Sequence, residues 1–296
     1  MTSVKDPVVV QPAPAERPAR HGPDKQLGRK AAGYTAMTAL ALFALGPFLW
    51  TLSTSLKNID EVFVYPPKWL PSTLKWSNYT SLWHSFPMDR WMFNSAYIVL
   101  LTVIGKLFLT ATASYAFARL RWPGRDYTFY AFLTALMIPW EVTLIPGFVL
   151  MRQFGWIDSH LALIIPSIGD VFGIFLLRQF FLSLPRELEE AARIDGAGYF
   201  TVFWRVILPL SKPALAVVAV LGFMGVWNAF LWPLIMIDST SKFTLPIGLQ
   251  LLNSQHGTDW TVLMAGDVIA LIPVLVVYLA AQKHFVQGIT MTGLKG

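Results

Sequence analysis

The chain has 296 residues, 55% of them hydrophobic and only 14% charged, which excludes an ordinary soluble domain and points to a membrane protein. It has no cysteine, so disulfides, cysteine-ligated zinc and thiol catalysis are excluded. The net charge of +6 is dispersed among loops rather than gathered in a patch. Membrane topology accounts for it, and nucleic acid is not an expected partner.

In chain order, residues 1–30 are Pro/Ala-rich and polar, and read as a disordered tail without the layout of a cleaved signal peptide. Apolar stretches follow near 31–56, 92–118, 127–151, 160–183, 213–237 and 262–286. Each is long enough for the roughly 20 residues that cross a hydrocarbon core. The expected fold is all-α, a polytopic membrane protein with about six transmembrane helices over 31–286 and a C-terminal tail at 287–296. Pro166, Gly169, Asp170 and Gly173 interrupt the fourth stretch.

Lys and Arg set the orientation. Sixteen fall in the N-terminal tail, the 119–125 loop, the Arg178–Lys212 stretch and the C-terminus, against six in the alternate segments. The positive-inside rule places both termini and the 185–212 segment in the cytoplasm. Two longer loops, 57–91 and 238–261, face outward, the first rich in Pro and Trp.

The 185–212 segment is a polar, helix-forming island. Leu184, Leu188, Ala191 and Ala192 share one helical face. Arg186/Glu190 and Glu189/Arg193 are oppositely charged pairs four apart, expected on the solvated side. Asp195-Gly196 breaks the helix, glycine supplying positive φ. A second apolar face is expected at Phe200, Phe203, Trp204 and Ile207, ended by Leu208-Pro209. Two short amphipathic helices joined at a glycine make a docking element.

Glu190-Ala191-Ala192, then Gly196, then Ile207-Leu208-Pro209 resembles the EAA signature of permease subunits of bacterial ABC importers. Asp195-Gly196-Ala197 resembles the carbohydrate-importer branch, of the smaller maltose-type permease. The likeness runs over roughly residues 30 to 296, with Trp227-Asn228, Trp232-Pro233 and the Phe285–Thr290 run. Ala229 departs from the pattern, since an acidic residue often follows Trp-Asn in such permeases. The resemblance implies a second permease subunit, two cytoplasmic ATPases and an extracytoplasmic solute-binding protein as partners, with lipid around the spans. It implies that the ATPases use ATP and magnesium while this chain binds no cofactor. It further implies that Glu190, Ala191, Ala192, Asp195, Gly196, Phe200, Phe203, Leu208 and Pro209 couple to the ATPase. The C-terminal run Gln287–Gly296 is a further implied contact.

No GxxxxGK[ST] loop, HExxH or His/Cys cluster is present, so neither a phosphate cradle nor a metal or catalytic site is expected. His21, His84, His160, His256 and His284 are scattered and read as ordinary polar residues. Polar groups inside spans carry functional weight because they are expensive there. Glu141, Asp170, Asn228 and Asp267 are translocation-path candidates, with Trp227 and Trp232 as aromatic faces for sugar rings. Lys106 is read as extending its amine to the membrane edge. The expected function is sugar import, mono- or oligosaccharide, with glycerol-3-phosphate or glycerophosphodiesters as the alternative. An ion-driven carrier using Asp170, Glu141 or Asp267 and a membrane-embedded enzyme are the rival classes.

Overall fold

A computed structural model describes residues 23–254 and 257–292. The chain divides into two compact units, Met1–Leu49 and Trp50–Gly296. Helix α1 (Pro23–Ser55) begins within the stretch expected to be a disordered tail; residues 1–22 lie outside the described residues. Pro23 suits a first helical position, where its missing N–H is no loss. Through the first unit the α1 side chains Tyr34, Met37, Leu40 and Phe43 are all exposed. A helix apolar on every side needs lipid or another chain around it.

In the second unit, α2 (Ser77–Ser85) precedes the long α3 (Met88–Arg119), α4 (Arg125–Thr134) and α5 (Trp140–Gln153). Next come α6 (Leu161–Ile168), α7 (Val171–Ser183), α8 (Glu187–Ile194) and α9 (Tyr199–Leu210). The last helices are α10 (Lys212–Trp227), α11 (Leu231–Met236), α12 (Leu245–Gln250) and α13 (Trp260–Thr292). A two-residue β-hairpin pairs Asn253–Ser254 with Gly257–Thr258. Among the described residues four helices are long and apolar enough to span a membrane, or up to six if each bent pair counts as one span.

The third expected span is one such pair, Arg125–Met137 and Trp140–Gln153, bent by 98°. Pro139 explains the bend. It lacks an N–H and pushes the preceding residue out of the helical region, and Ile138 has ψ 114. The fifth expected span ends early, at Trp227, and resumes only as the short α11. The expected C-terminal tail is helical through Thr292, while 293–296 lie outside the described residues.

Helix α3 is the central post, packing against α6, α7, α10 and α12. Around its C-terminal half Tyr115, Leu177, Phe181, Val202, Ile207 and Val218 form one core. At its other end Leu82, Met88, Trp91, Trp227, Leu245 and Ile269 form a second. Buried polar groups fix the 240–243 segment to this post. Trp91 Nε1 donates to Thr240 O (3.0 Å), and Asn94 Nδ2 donates to Ser241 O (3.1 Å) and Phe243 O (2.9 Å). Such groups are costly to bury unless bonded, so they specify one seating of the segment.

Candidate functional site

The 185–212 element is built as two short helices on a glycine joint. α8 ends in a Schellman-type cap: Gly196 N–H bonds Arg193 O (3.0 Å) and Ala197 N–H bonds Ala192 O (2.9 Å). Gly196 has φ +84, the left-handed region where a Cβ is strained, although open space surrounds the position. Ala192 and Ala197 both pack on the core, which tethers the joint to the bundle.

The charges depart from the expected solvated pairs. Glu189 is buried, with its Oε1 3.0 Å from Arg119 Nε, and the two side chains are 10% and 3% exposed. The approach is electrostatic rather than an aligned hydrogen bond. Arg119 Nη2 also donates to Leu184 O (2.7 Å) and to Phe181 O, the carbonyl end of α7. One guanidinium thus holds the ends of α3 and α7 together with α8. Arg193 instead lies over the Tyr199 ring, 4.1 Å from its centroid.

The second helix also differs from its expected facing. Residues Phe203–Ile207 form a π-helical turn, which carries an extra residue per turn and breaks the 3.6 register. Val202, Phe203 and Ile207 point into the core, while Phe200 and Trp204 are 76% and 41% exposed. Phe203 is therefore a packing residue, a correction to its expected place on the docking face. Glu190, Ala191, Asp195, Gly196 and Pro209 are exposed with Phe200, and Ala192 and Leu208 are half-buried. Leu188 and Ile194, 42% and 87% exposed, complete an apolar surface with Phe200 and Tyr199. Exposed apolar groups gathered on one protruding element mark an interaction surface.

The polar groups of the spans fall into separate settings. Asp170 caps α7, accepting Gly173 N–H at 2.9 Å, and its Oδ2 lies 3.4 Å from Lys106 Nζ. Lys106 thus turns inward to a carboxylate, not outward to the membrane edge. Trp227 is buried, its Nε1 donating to Ala270 O (3.1 Å) and its ring stacked on Phe223. Little of the ring is exposed, and the residue borders the cleft that Asn228 and Asp267 line. Trp232 Nε1 donates to Ala162 O (2.9 Å), and its ring packs on Gly147 beside a cavity of about 480 Å³ that Trp140, Thr143 and Ser167 also line. Asn228 and Asp267 share a different cleft, of about 430 Å³. Glu141 is exposed in the first turn of α5. Among the described residues no group of His, Cys, Asp or Glu could hold a metal ion.

Arg119 and Asp158 were not singled out by sequence reasoning, and Glu189 only as half of a solvated pair with Arg193. Arg119 and Glu189 are signalled only by position, a cation at the end of an apolar run and an acid beside the EAA triplet. Asp158 accepts Ser239 Oγ–H (2.6 Å), Ser239 N–H (2.9 Å) and Asp238 N–H (3.1 Å), and pairs with Lys242 Nζ at 2.7 Å. The Lys242 ammonium and the Ser239 hydroxyl hold its carboxyl well below the usual carboxylate range. His160 donates or accepts within the same region, between Tyr97 OH and Lys242 O.

Residues 108–291 match the family described as binding-protein-dependent transport system inner membrane component. The chain is 36% identical over 280 residues to the arabinooligosaccharides transport system permease protein AraQ of Bacillus subtilis, covering 94% of this chain and 99% of that relative. It is 35% identical over 258 residues to the sn-glycerol-3-phosphate transport system permease protein UgpE of Yersinia enterocolitica, covering 84% and 91%. Among solved structures, a chain of a bacterial ABC transporter involved in the import of the acidic polysaccharide alginate superposes with a TM-score of 0.79 at 26% identity. That superposition covers 91% of this chain and 100% of the other. With the matched segment spanning more than half of the chain and the whole 185–212 element, the chain belongs to the family of inner membrane components of binding-protein-dependent transport systems.

Proposed function

We propose that the chain is one of two permease subunits of an ATP-driven importer that carries a sugar across the cytoplasmic membrane. A binding protein delivers the sugar outside, and two ATPase subunits inside hydrolyse ATP with magnesium. Both termini and the 185–212 element lie in the cytoplasm. The reading is carried by the exposed surface of Leu188, Glu190, Ile194 and Phe200, held on a glycine joint and clamped to the bundle by Arg119. Closure of the ATPase pair moves this element, and α3 and α7 follow through the clamp. The membrane part thereby changes between inward- and outward-open states, a two-state equilibrium biased at a distance. The exposed apolar α1 faces lipid or the second permease subunit.

Relatives named for arabinooligosaccharides and for alginate support a saccharide cargo. The relative named for sn-glycerol 3-phosphate supports a second reading, import of that compound or of glycerophosphodiesters. An ion-driven carrier is less well supported, because Asp170, one of its three candidate ion sites, is matched by Lys106 and the relatives are named for ABC-type and binding-protein-dependent transport.

The test is ATP hydrolysis by the reconstituted complex before and after Glu190→Ala plus Gly196→Trp. Loaded binding protein is expected to stimulate the parent complex, and the double change is expected to abolish stimulation while assembly persists. Undiminished stimulation in the double variant overturns the coupling assignment.

A further inference from the structure

Helix α10 ends at Trp227, and Asn228, Ala229 and Phe230 are not helical before α11 begins. Non-helical backbone at membrane depth is tolerated only where protein surrounds it or water reaches it. Opposite this break stands Asp267, about 10 Å along α13 from Trp260 at 1.5 Å per residue. It is part-buried and has no hydrogen-bond or ion-pair partner among the described residues. The two groups line the cleft of about 430 Å³ together with Gln250, Asn253 and the Phe230 ring. That volume is within the roughly 300–1,000 Å³ of small-molecule sites. Among the described residues the lining is one carboxylate, three carboxamides, the Trp227 and Phe230 rings and the apolar Pro246, Leu249, Leu263 and Ala270, with no Lys, Arg or His.

The cation of α3 is not available to offset this carboxylate. Lys106 lies 3.4 Å from Asp170, and the two side chains are only 15% and 17% exposed. A Cβ placed on Gly222 would lie 3.1 Å from Lys106 Cδ, so the lysine stem is packed against α10 with little room to swing. Among the described residues, the ionisable group presented to the cleft is therefore a single carboxylate with no cation beside it. A carboxylate accepts hydrogen bonds and donates none, so it suits hydroxyl groups. It repels a phosphate or a uronate strongly where water is partly excluded, and an unpaired charge is a direct means of rejecting a wrong ligand.

We infer that the Asn228–Asp267 cleft is a hydroxyl-binding subsite that admits uncharged saccharides and rejects phosphorylated or uronic ones, an inference that rests on the importer reading above. It separates the cargo of this chain from the anionic compounds named for two of its relatives.

The experiment is uptake into proteoliposomes by the complete complex. Neutral arabino- and malto-oligosaccharides, an oligouronate and sn-glycerol 3-phosphate are compared, and binding of each to the delivery protein is measured separately. Wild type is expected to carry a neutral saccharide and no anionic ligand, even one that the delivery protein holds. Asp267→Asn keeps the shape and is expected to slow uptake roughly tenfold, the scale of losing a charged hydrogen-bond acceptor, and Asp267→Ala at least as much. Both variants are expected to assemble normally. Carriage of an anionic ligand by wild type, or unchanged uptake in both variants, overturns the inference. If no ligand is carried and no loaded delivery protein stimulates ATP hydrolysis, the importer reading itself falls, and the inference with it.

Discussion

Arg119 and Glu189 show how much one buried pair governs at the level of single side chains. Burying an ion pair gives little net stability, but removing one member strands the other charge. Arg119→Ala is therefore expected to destabilise the protein by about 3–5 kcal/mol. Pairing Arg119→Ala with Glu189→Leu should recover part of that loss. Thermal unfolding of the two variants in detergent checks the order, and equal losses would refute it. Gly196 acts differently, because no neighbour crowds it and only its φ of +84 resists substitution. Asn tolerates that region best among non-glycine residues, whereas Ala costs roughly 1–2 kcal/mol there and a β-branched residue more. Stimulated ATP hydrolysis should accordingly fall in the order Gly196→Asn, Gly196→Ala, Gly196→Val. A bulky residue tolerated as well as Asn would show that the joint is not strained.

For whole elements, the 238–243 segment after α11 is held by Asp158 as well as by the α3 post. Its folded carboxyl titrates below the usual range, so the clamp contributes fully at pH above about 4, the ordinary carboxylate value. The contribution is lost only as pH falls below that value toward the depressed folded one. The difference in melting temperature between wild type and Asp158→Asn should thus be constant from pH 8 to 5 and shrink in stronger acid. A difference already shrinking at pH 6 would contradict the assignment. Much of this architecture was legible from residue pattern. The Asp195-Gly196 stop follows from glycine's freedom at positive φ, and the apolar runs give nearly every long helix. The inward turn of Phe203 was not legible, since a π-helical turn leaves no mark in a 3.6-residue periodicity. Glu189 looked solvated for a related reason: its partner lies across the fold, at Arg119, and i, i+4 spacing sees only local pairs. The third span's 98° bend was foreshadowed by Pro139, but proline fixes the place of a break and not its angle.

Considering the molecule whole, orientation is the property most open to direct test. The chain contains no cysteine, so single introduced thiols report sidedness without background. Ile194→Cys, on the exposed α8, is expected to label only from the cytoplasmic side, and Trp69→Cys only from outside. The reverse pattern would invert the proposed topology. Of the candidate path residues, the sequence identified the polar groups but not their grouping. Lys106 and Asp170 belong together, as do Asn228 and Asp267, because α3 packs on α7 and α10 on α13, helices distant in sequence.

The Lys106–Asp170 pair also bears on how the protein is made. Translation delivers Lys106 to the bilayer well before Asp170 exists. Until α7 arrives, α3 carries a bare ammonium near its middle, which insertion scales put at roughly 2.5–3.5 kcal/mol against membrane entry. Its most apolar 18-residue stretch, of mean hydropathy 1.8, is enough to seat it, but only provisionally. The arriving carboxylate then offsets that charge, so α3 is expected to seat more firmly once α7 has entered.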